Sequence, residues 1–166
     1  MEKTIKVINE LIEDGIIKHY AIGGAIASTF YIEPVATYDL DVFFTFDDNQ
    51  NKIISLEPIY QWMEKRGYKT SMEYIIIEGV PVQLIPVYND LIREAVLNSI
   101  EKKFNKTTVN VITPEYLIAI MLQTFRAKDK ERILRFLEEV KINYSALKKL
   151  LMKFSLEEKF IKIKKL

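Results

Sequence analysis

Two aspartates one residue apart, Asp39 and Asp41, stand in the run Tyr-Asp-Leu-Asp-Val-Phe-Phe, whose other residues favour burial. An ionised carboxylate loses hydration in apolar company and persists there when something positive compensates it. On a β-strand, side chains alternate, so the two acids share one face with α-carbons about 6.5 to 7 Å apart, while Leu40 and Val42 point into the core. Carboxylates at that reach can share one Mg²⁺ or clamp two, because Mg²⁺ takes hard oxygen ligands and keeps room for water and phosphate oxygens. Upstream, the apolar Tyr20-Ala21-Ile22 runs into Gly23 and Gly24. Lacking β-carbons, this pair lets the backbone come close to a bound group, and the free N–H groups of a following helix favour phosphate. Either motif alone is unspecific. In the order strand, Gly-Gly, short helix, Asp-Leu-Asp strand, they describe a nucleoside triphosphate site.

The elements that must position these residues follow from periodicity. Ile5, Ile8, Leu11 and Ile12 share one face of a helix predicted over 3–14, which Gly15 ends. A strand covers 20–22, a short helix 25–31 stopped by Glu33-Pro34, and a second strand 39–46. After the turn-rich 47–51 segment, Ile59, Trp62 and Met63 mark a helix over 56–66, with Gly67 at its end. Strands over 70–77 and 80–87 flank Glu78-Gly79 and read as a hairpin. A helix over 91–100 and a β-branched strand over 107–112 come next. Thr113-Pro114-Glu115 opens a further helix with a capping residue, a proline in the first turn and an early acid. From there the pattern is helical to the end. The expected architecture is an α+β (α/β) sheet domain over 1–112, followed by a helical C-terminal subdomain over 113–166.

Composition bounds the rest. The chain has 166 residues, 49% of them apolar, and a formal net charge of +1, so no partner follows from charge. Absence of cysteine excludes disulfides, thiolate metal sites and a cysteine nucleophile. No apolar run approaches the roughly 20 residues of a membrane span, and no signal peptide is visible; the expectation is a cytoplasmic chain without a membrane partner. Oligomeric state stays open. The lysines after Lys141 accompany Leu147, Leu150, Leu151 and Phe154 at helical spacing and read as the solvated face of an amphipathic helix. Binding of RNA or DNA through them is the alternative.

The run Ile22-Gly23-Gly24 through Asp39-Leu40-Asp41-Val42 resembles the signature of the polymerase-β-like nucleotidyltransferase superfamily, particularly the minimal nucleotidyltransferases and AbiEii-type toxins. In that family a hydrophobic-Gly-Gly/Ser turn precedes an Asp-hydrophobic-Asp/Glu strand, often with Thr or Ser two positions before the first acid, where Thr37 stands here. Pro114-Glu115-Tyr116-Leu117-Ile118-Ala119 followed by Arg126-Ala127-Lys128-Asp129 is similar to the family's C-terminal helical segment. The resemblance implies a nucleotidyltransferase-like mixed sheet flanked by helices. It also implies an NTP, with ATP expected, held by Gly23 and Gly24, and Mg²⁺ or Mn²⁺ held by Asp39 and Asp41. A nucleoside monophosphate would pass to a protein or RNA acceptor, in a toxin-antitoxin setting for the toxin relatives. Arg126 and Lys128 become the positive groups near phosphate, with Thr37 and Ser28 as further nucleotide contacts.

The sequence departs from that pattern in two places. Val35-Ala36 stands where many relatives carry an arginine. Gln83, in Pro-Val-Gln-Leu-Ile, replaces the third acid of a neighbouring strand; a glutamine can offer a carbonyl oxygen to a cation but brings no charge and cannot act as a general base. Glu73 on the facing strand is the candidate substitute. A catalytically weak or inactive nucleotidyltransferase-like binding module is therefore the competing reading. Other residues have plainer explanations: His19 as a surface histidine, Trp62 as helix core, Ser28 and Thr29 as packing of the short helix, and Arg126, Lys128 and Asp129 as a solvated, ion-paired helix face.

Overall fold

A computed structural model describes residues 1–34, 36–46, 55–71 and 73–165. In chain order the elements are α1 (Glu2–Glu13), β1 (His19–Ile22), α2 (Gly24–Ser28), β2 (Leu40–Thr45), α3 (Glu57–Lys65), β3 (Lys69–Ser71), β4 (Tyr74–Ile77), β5 (Val80–Pro86), α4 (Asp90–Leu97), β6 (Ile100–Phe104), β7 (Thr107–Val111), α5 (Pro114–Thr124), α6 (Ala127–Glu139), α7 (Tyr144–Lys153) and α8 (Glu157–Ile163). The strands form one mixed sheet in the order β3-β4-β5-β2-β1-β7-β6. β2 runs parallel to β5 and antiparallel to β1, and β1 runs parallel to β7. The mixed sheet with flanking helices is the architecture expected from the sequence.

The central strands are the most buried: Leu40, Val42 and Phe44 of β2 and Ala21 and Ile22 of β1 are fully enclosed. α1 lies along the sheet and is fastened to it by hydrogen bonds from Asn9 Nδ2 to the Thr108 carbonyl (3.0 Å) and from Thr4 Oγ1 to the Ile77 carbonyl (3.3 Å). Trp62 of α3 is buried, as its helical spacing predicts, and its indole N–H donates to Asp14 Oδ2 at 2.8 Å beyond the end of α1. α4 packs on β1 and β2 and carries α5, which in turn supports α6 and α7. The C-terminal lysines do border an amphipathic stretch: Leu147, Leu150, Leu151, Phe160 and Ile163 are buried beneath them. Among the described residues no helix is long and apolar enough to cross a membrane.

Several local expectations shift. The strand predicted over 70–77 is two strands, β3 and β4, which pair antiparallel with Lys69 opposite Ile76 and Ser71 opposite Tyr74. The helix predicted over 91–100 ends at Leu97, and Ile100–Phe104 forms β6, joined to β7 through a turn in which Asn105 adopts a positive φ of 53°. α2 stops at Ser28 rather than continuing to Tyr31, and β2 begins at Leu40, so Asp39 lies just ahead of the strand. Thr113 takes the N-cap position of α5 but makes no side-chain capping bond. The turn-rich 47–51 segment lies outside the described residues.

Candidate active site

β1 delivers Gly23 and Gly24 directly against β2. The antiparallel register pairs Ile22 with Val42, and the Gly23 N–H donates to the Asp41 carbonyl at 3.0 Å. A β-carbon on Gly23 would sit 2.4 Å from the Phe43 ring. Gly24 has φ +59°, and a β-carbon there would fall 1.8 Å from Asp41 Oδ2. Both glycines are therefore demanded by close approach, and at Gly24 the neighbour is the carboxylate itself.

Asp39 and Asp41 are both half-buried. Thr37 Oγ1 donates to Asp39 Oδ1 at 2.9 Å, which fixes that carboxylate. Burial, and then the neighbouring Asp39 charge, push the Asp41 carboxyl up to about 6, while Lys128, Arg126 and Arg132 pull in the opposite direction. The acids are thus electrostatically coupled, and the charges of Lys128, Arg126 and Arg132 act on Asp41. Lys128 and Arg132, four residues apart, occupy neighbouring positions on one helix face. Arg132 was not anticipated from the sequence, although its spacing from Lys128 would have revealed it.

Gln83 is the register partner of Asp41 across the β2–β5 pair, beside it on the sheet. Glu73 is exposed next to β4 and interacts with the Tyr74 hydroxyl. It does not complete a third acid: among the described residues no three His, Cys, Asp or Glu side chains gather as a metal site. The donor set nevertheless fits a divalent cation. Two coupled carboxylates, one driven towards protonation by burial, form a site whose charge a hard cation would balance, and the Gln83 amide can add a neutral oxygen. Ser28 is buried, and its hydroxyl donates to the Gly24 carbonyl at 3.0 Å, within its own helix. His19 is exposed at the start of β1.

Arg126 owes its placement to Asp129. Asp129 is fully buried and accepts from Thr124 Oγ1 (2.7 Å), the Arg126 backbone N–H (3.1 Å), Arg126 Nε (2.8 Å) and Arg126 Nη2 (3.1 Å). Burial opposes its ionisation, but the bonds from Arg126 and Thr124 outweigh that and hold the carboxyl below the ordinary aspartate value. A carboxyl lowered in the folded state contributes stability that is complete above the unfolded value and is lost as pH falls through the folded one. Asp129→Ala is accordingly expected to cost about 2 kcal/mol at pH 7, with the deficit shrinking below about pH 4. Urea unfolding of both proteins across that range measures it; a pH-independent deficit would show that the lost carboxylate is not the cause.

No protein-family model matches the chain, and no curated protein sequence matches it. Solved structures do. An antigenic nucleotidyltransferase-like protein from Paracoccidioides brasiliensis superposes with a TM-score of 0.59 at 13% identity, covering 94% of this chain and 87% of that one. The antibiotic-resistance factor ANT(2'')-Ia in complex with adenylyl-2''-tobramycin gives a TM-score of 0.53 at 12% identity, covering 94% of this chain and 98% of its own. The solution structure of ANT(2'')-Ia gives 0.50 at 13% identity, with 98% and 97% covered. At these identities the likeness establishes architecture, and this chain has a nucleotidyltransferase-like fold.

Proposed function

We propose that the chain binds an NTP with Mg²⁺ and transfers a nucleoside monophosphate to a hydroxyl acceptor. The observation that carries this reading is the coupled Asp39–Asp41 pair, with Gly24 closed against one carboxylate and the cations of α6 facing it. Asp39 and Asp41 would hold the metal, which when bound neutralises charge on the transferring phosphate. The Gly23–Gly24 turn, packed on Phe43 and Asp41, would set its backbone beside the acid that holds the metal, and Arg126, Lys128 and Arg132 would supply positive potential there. Thr37 keeps Asp39 oriented. That ANT(2'')-Ia, which shares this fold, is solved in complex with adenylyl-2''-tobramycin supports the reading. A protein or RNA acceptor and a toxin-antitoxin setting belong to the same proposal.

Incubating the protein with each labelled NTP, Mg²⁺ and cell extract tests it, beside an Asp39→Asn/Asp41→Asn control. Label transfer that survives in the double variant removes the site assignment.

Gln83 favours a second reading, a module that binds nucleotide with little turnover. Adding an acid beside Asp41 by Gln83→Asp is expected to tighten Mg²⁺ binding about tenfold, read by Mn²⁺ competition, because a third carboxylate joins the donor set. If transfer appears only in Gln83→Asp, the binding-module reading holds; vigorous wild-type transfer eliminates it.

A further inference from the structure

The acid pair has a second side. A groove of about 540 Å³ opens beside Asp39, lined among others by Thr37, Tyr38, Tyr74, Ile76 and Pro81. That volume lies within the roughly 300–1,000 Å³ typical of small-molecule sites. None of the α6 cations that face Asp41 lines it. Tyr74 lines the groove within electrostatic reach of Asp39 and Asp41.

The groove's chemistry is selective. Among the described residues its lining contains no Lys, Arg or His, and Asp39 is its only acid. A phosphorylated acceptor would find no counter-charge there. A polycationic acceptor would find among the lining residues only Asp39, already committed to the divalent ion, with Glu73 beside the groove engaged by the Tyr74 hydroxyl. What the lining does present is apolar and aromatic surface: Tyr38 is 89% exposed and Ile76 is 36% exposed, with Pro81 opposite Ile76 in the β4–β5 register. Thr37 and Ser71 add neutral hydroxyls.

Resting on the proposed transfer reaction, and favouring a protein over an RNA acceptor, we propose that this groove is the acceptor subsite and takes an uncharged hydroxyl-bearing flat ring. Its ring lies against the tyrosines and Ile76, and its hydroxyl is delivered to the Asp39 end. The hydroxyl oxygen bonds to the α-phosphorus of the NTP, the bond from that phosphorus to the bridging oxygen breaks, pyrophosphate leaves with the electron pair, and the hydroxyl proton passes to water.

The test uses the full chain and N-acetyl-L-tyrosinamide as the neutral ring probe, with tobramycin and uridine monophosphate as charged comparators. In ¹H–¹⁵N spectra the neutral probe is expected to shift the amides of Thr37, Tyr38, Asp39, Ser71, Tyr74 and Ile76, and the comparators to do so at least about tenfold more weakly. Ile76→Arg should abolish these shifts. Tyr38→Ala, which removes a solvent-exposed ring, should weaken binding about fivefold without disturbing the fold. No shifts at about 10 mM probe, shifts centred elsewhere, or stronger binding of either charged compound would overturn the inference. Binding of ATP with Mg²⁺, followed in parallel, separates the two claims: intact ATP binding with a silent groove removes this inference alone, and groove binding without ATP binding removes the transfer reading.

Discussion

Asp41→Asn is expected to lower nucleotidyl transfer by about 10³-fold while making the metal-free protein more stable at neutral pH. The two effects have one origin. Burial and Asp39 raise the Asp41 carboxyl from 3.8 to about 6. Between those values the folded chain retains a proton that the unfolded chain releases, so stability is complete below about pH 4 and declines as pH rises towards about 6. At pH 7 the accumulated cost reaches at most about 3 kcal/mol, from the ordinary conversion of pKa difference to free energy. Asparagine carries no charge, so the variant should gain about 1–3 kcal/mol at pH 7 and nothing at pH 3. Urea unfolding in EDTA measures the gain. Mg²⁺ should then raise the melting temperature of the wild-type protein and leave that of the variant unchanged, because only the former has the full charge to bind it. A variant that is less stable at pH 7, or that still transfers label, would show that Asp41 is an ordinary structural acid.

The parts of this site legible in the sequence are those whose geometry is local. Asp39 and Asp41 announce themselves because charge beside Val42, Phe43 and Phe44 is costly; alternation predicts a shared strand face, whereas only Asp41 lies on β2 and Asp39 reaches it from the residue ahead of the strand. Gly23 and Gly24 are legible for a related reason, since adjacent glycines at a strand end mark a close approach; that the neighbour is Asp41 itself depends on β1–β2 register. The sequence leaves Asp129 between a cluster facing a nucleotide cleft and a solvated, ion-paired helix face; it is buried instead, because Thr124 and Arg126 bond to it at the α5–α6 corner. β6 was missed because its residues, Ile-Glu-Lys-Lys-Phe, lie on a sheet edge where charge is tolerated and no apolar alternation is needed. The division into β3 and β4 hides inside a continuous strand-like run. The groove beside Asp39 had no sequence signal, since its lining comes from the approach to β2 and from three other strands that meet only in the folded sheet.

Gly24→Ala is expected to reduce transfer about 10²-fold, and a second glycine shows why the loss would come from the site rather than from the backbone. Gly24 and Gly67 both hold a positive φ, +59° and +79°, so alanine strains either position. The backbone penalty is of order 1–2 kcal/mol in each case. The surroundings differ completely: the new β-carbon at Gly67 meets nothing within 4 Å, whereas at Gly24 it falls 1.8 Å from Asp41 Oδ2. No rotation of alanine relieves that overlap. The Asp41 carboxylate or the Gly23–Gly24 turn must move, and either shift separates the acid from the backbone proposed to meet the phosphates. Gly67→Ala should therefore lose only the backbone penalty in urea unfolding and keep full transfer, while Gly24→Ala loses at least as much stability and the transfer as well. If the two variants lose transfer equally, or if Gly24→Ala retains it, the carboxylate beneath the turn is not what the reaction depends on.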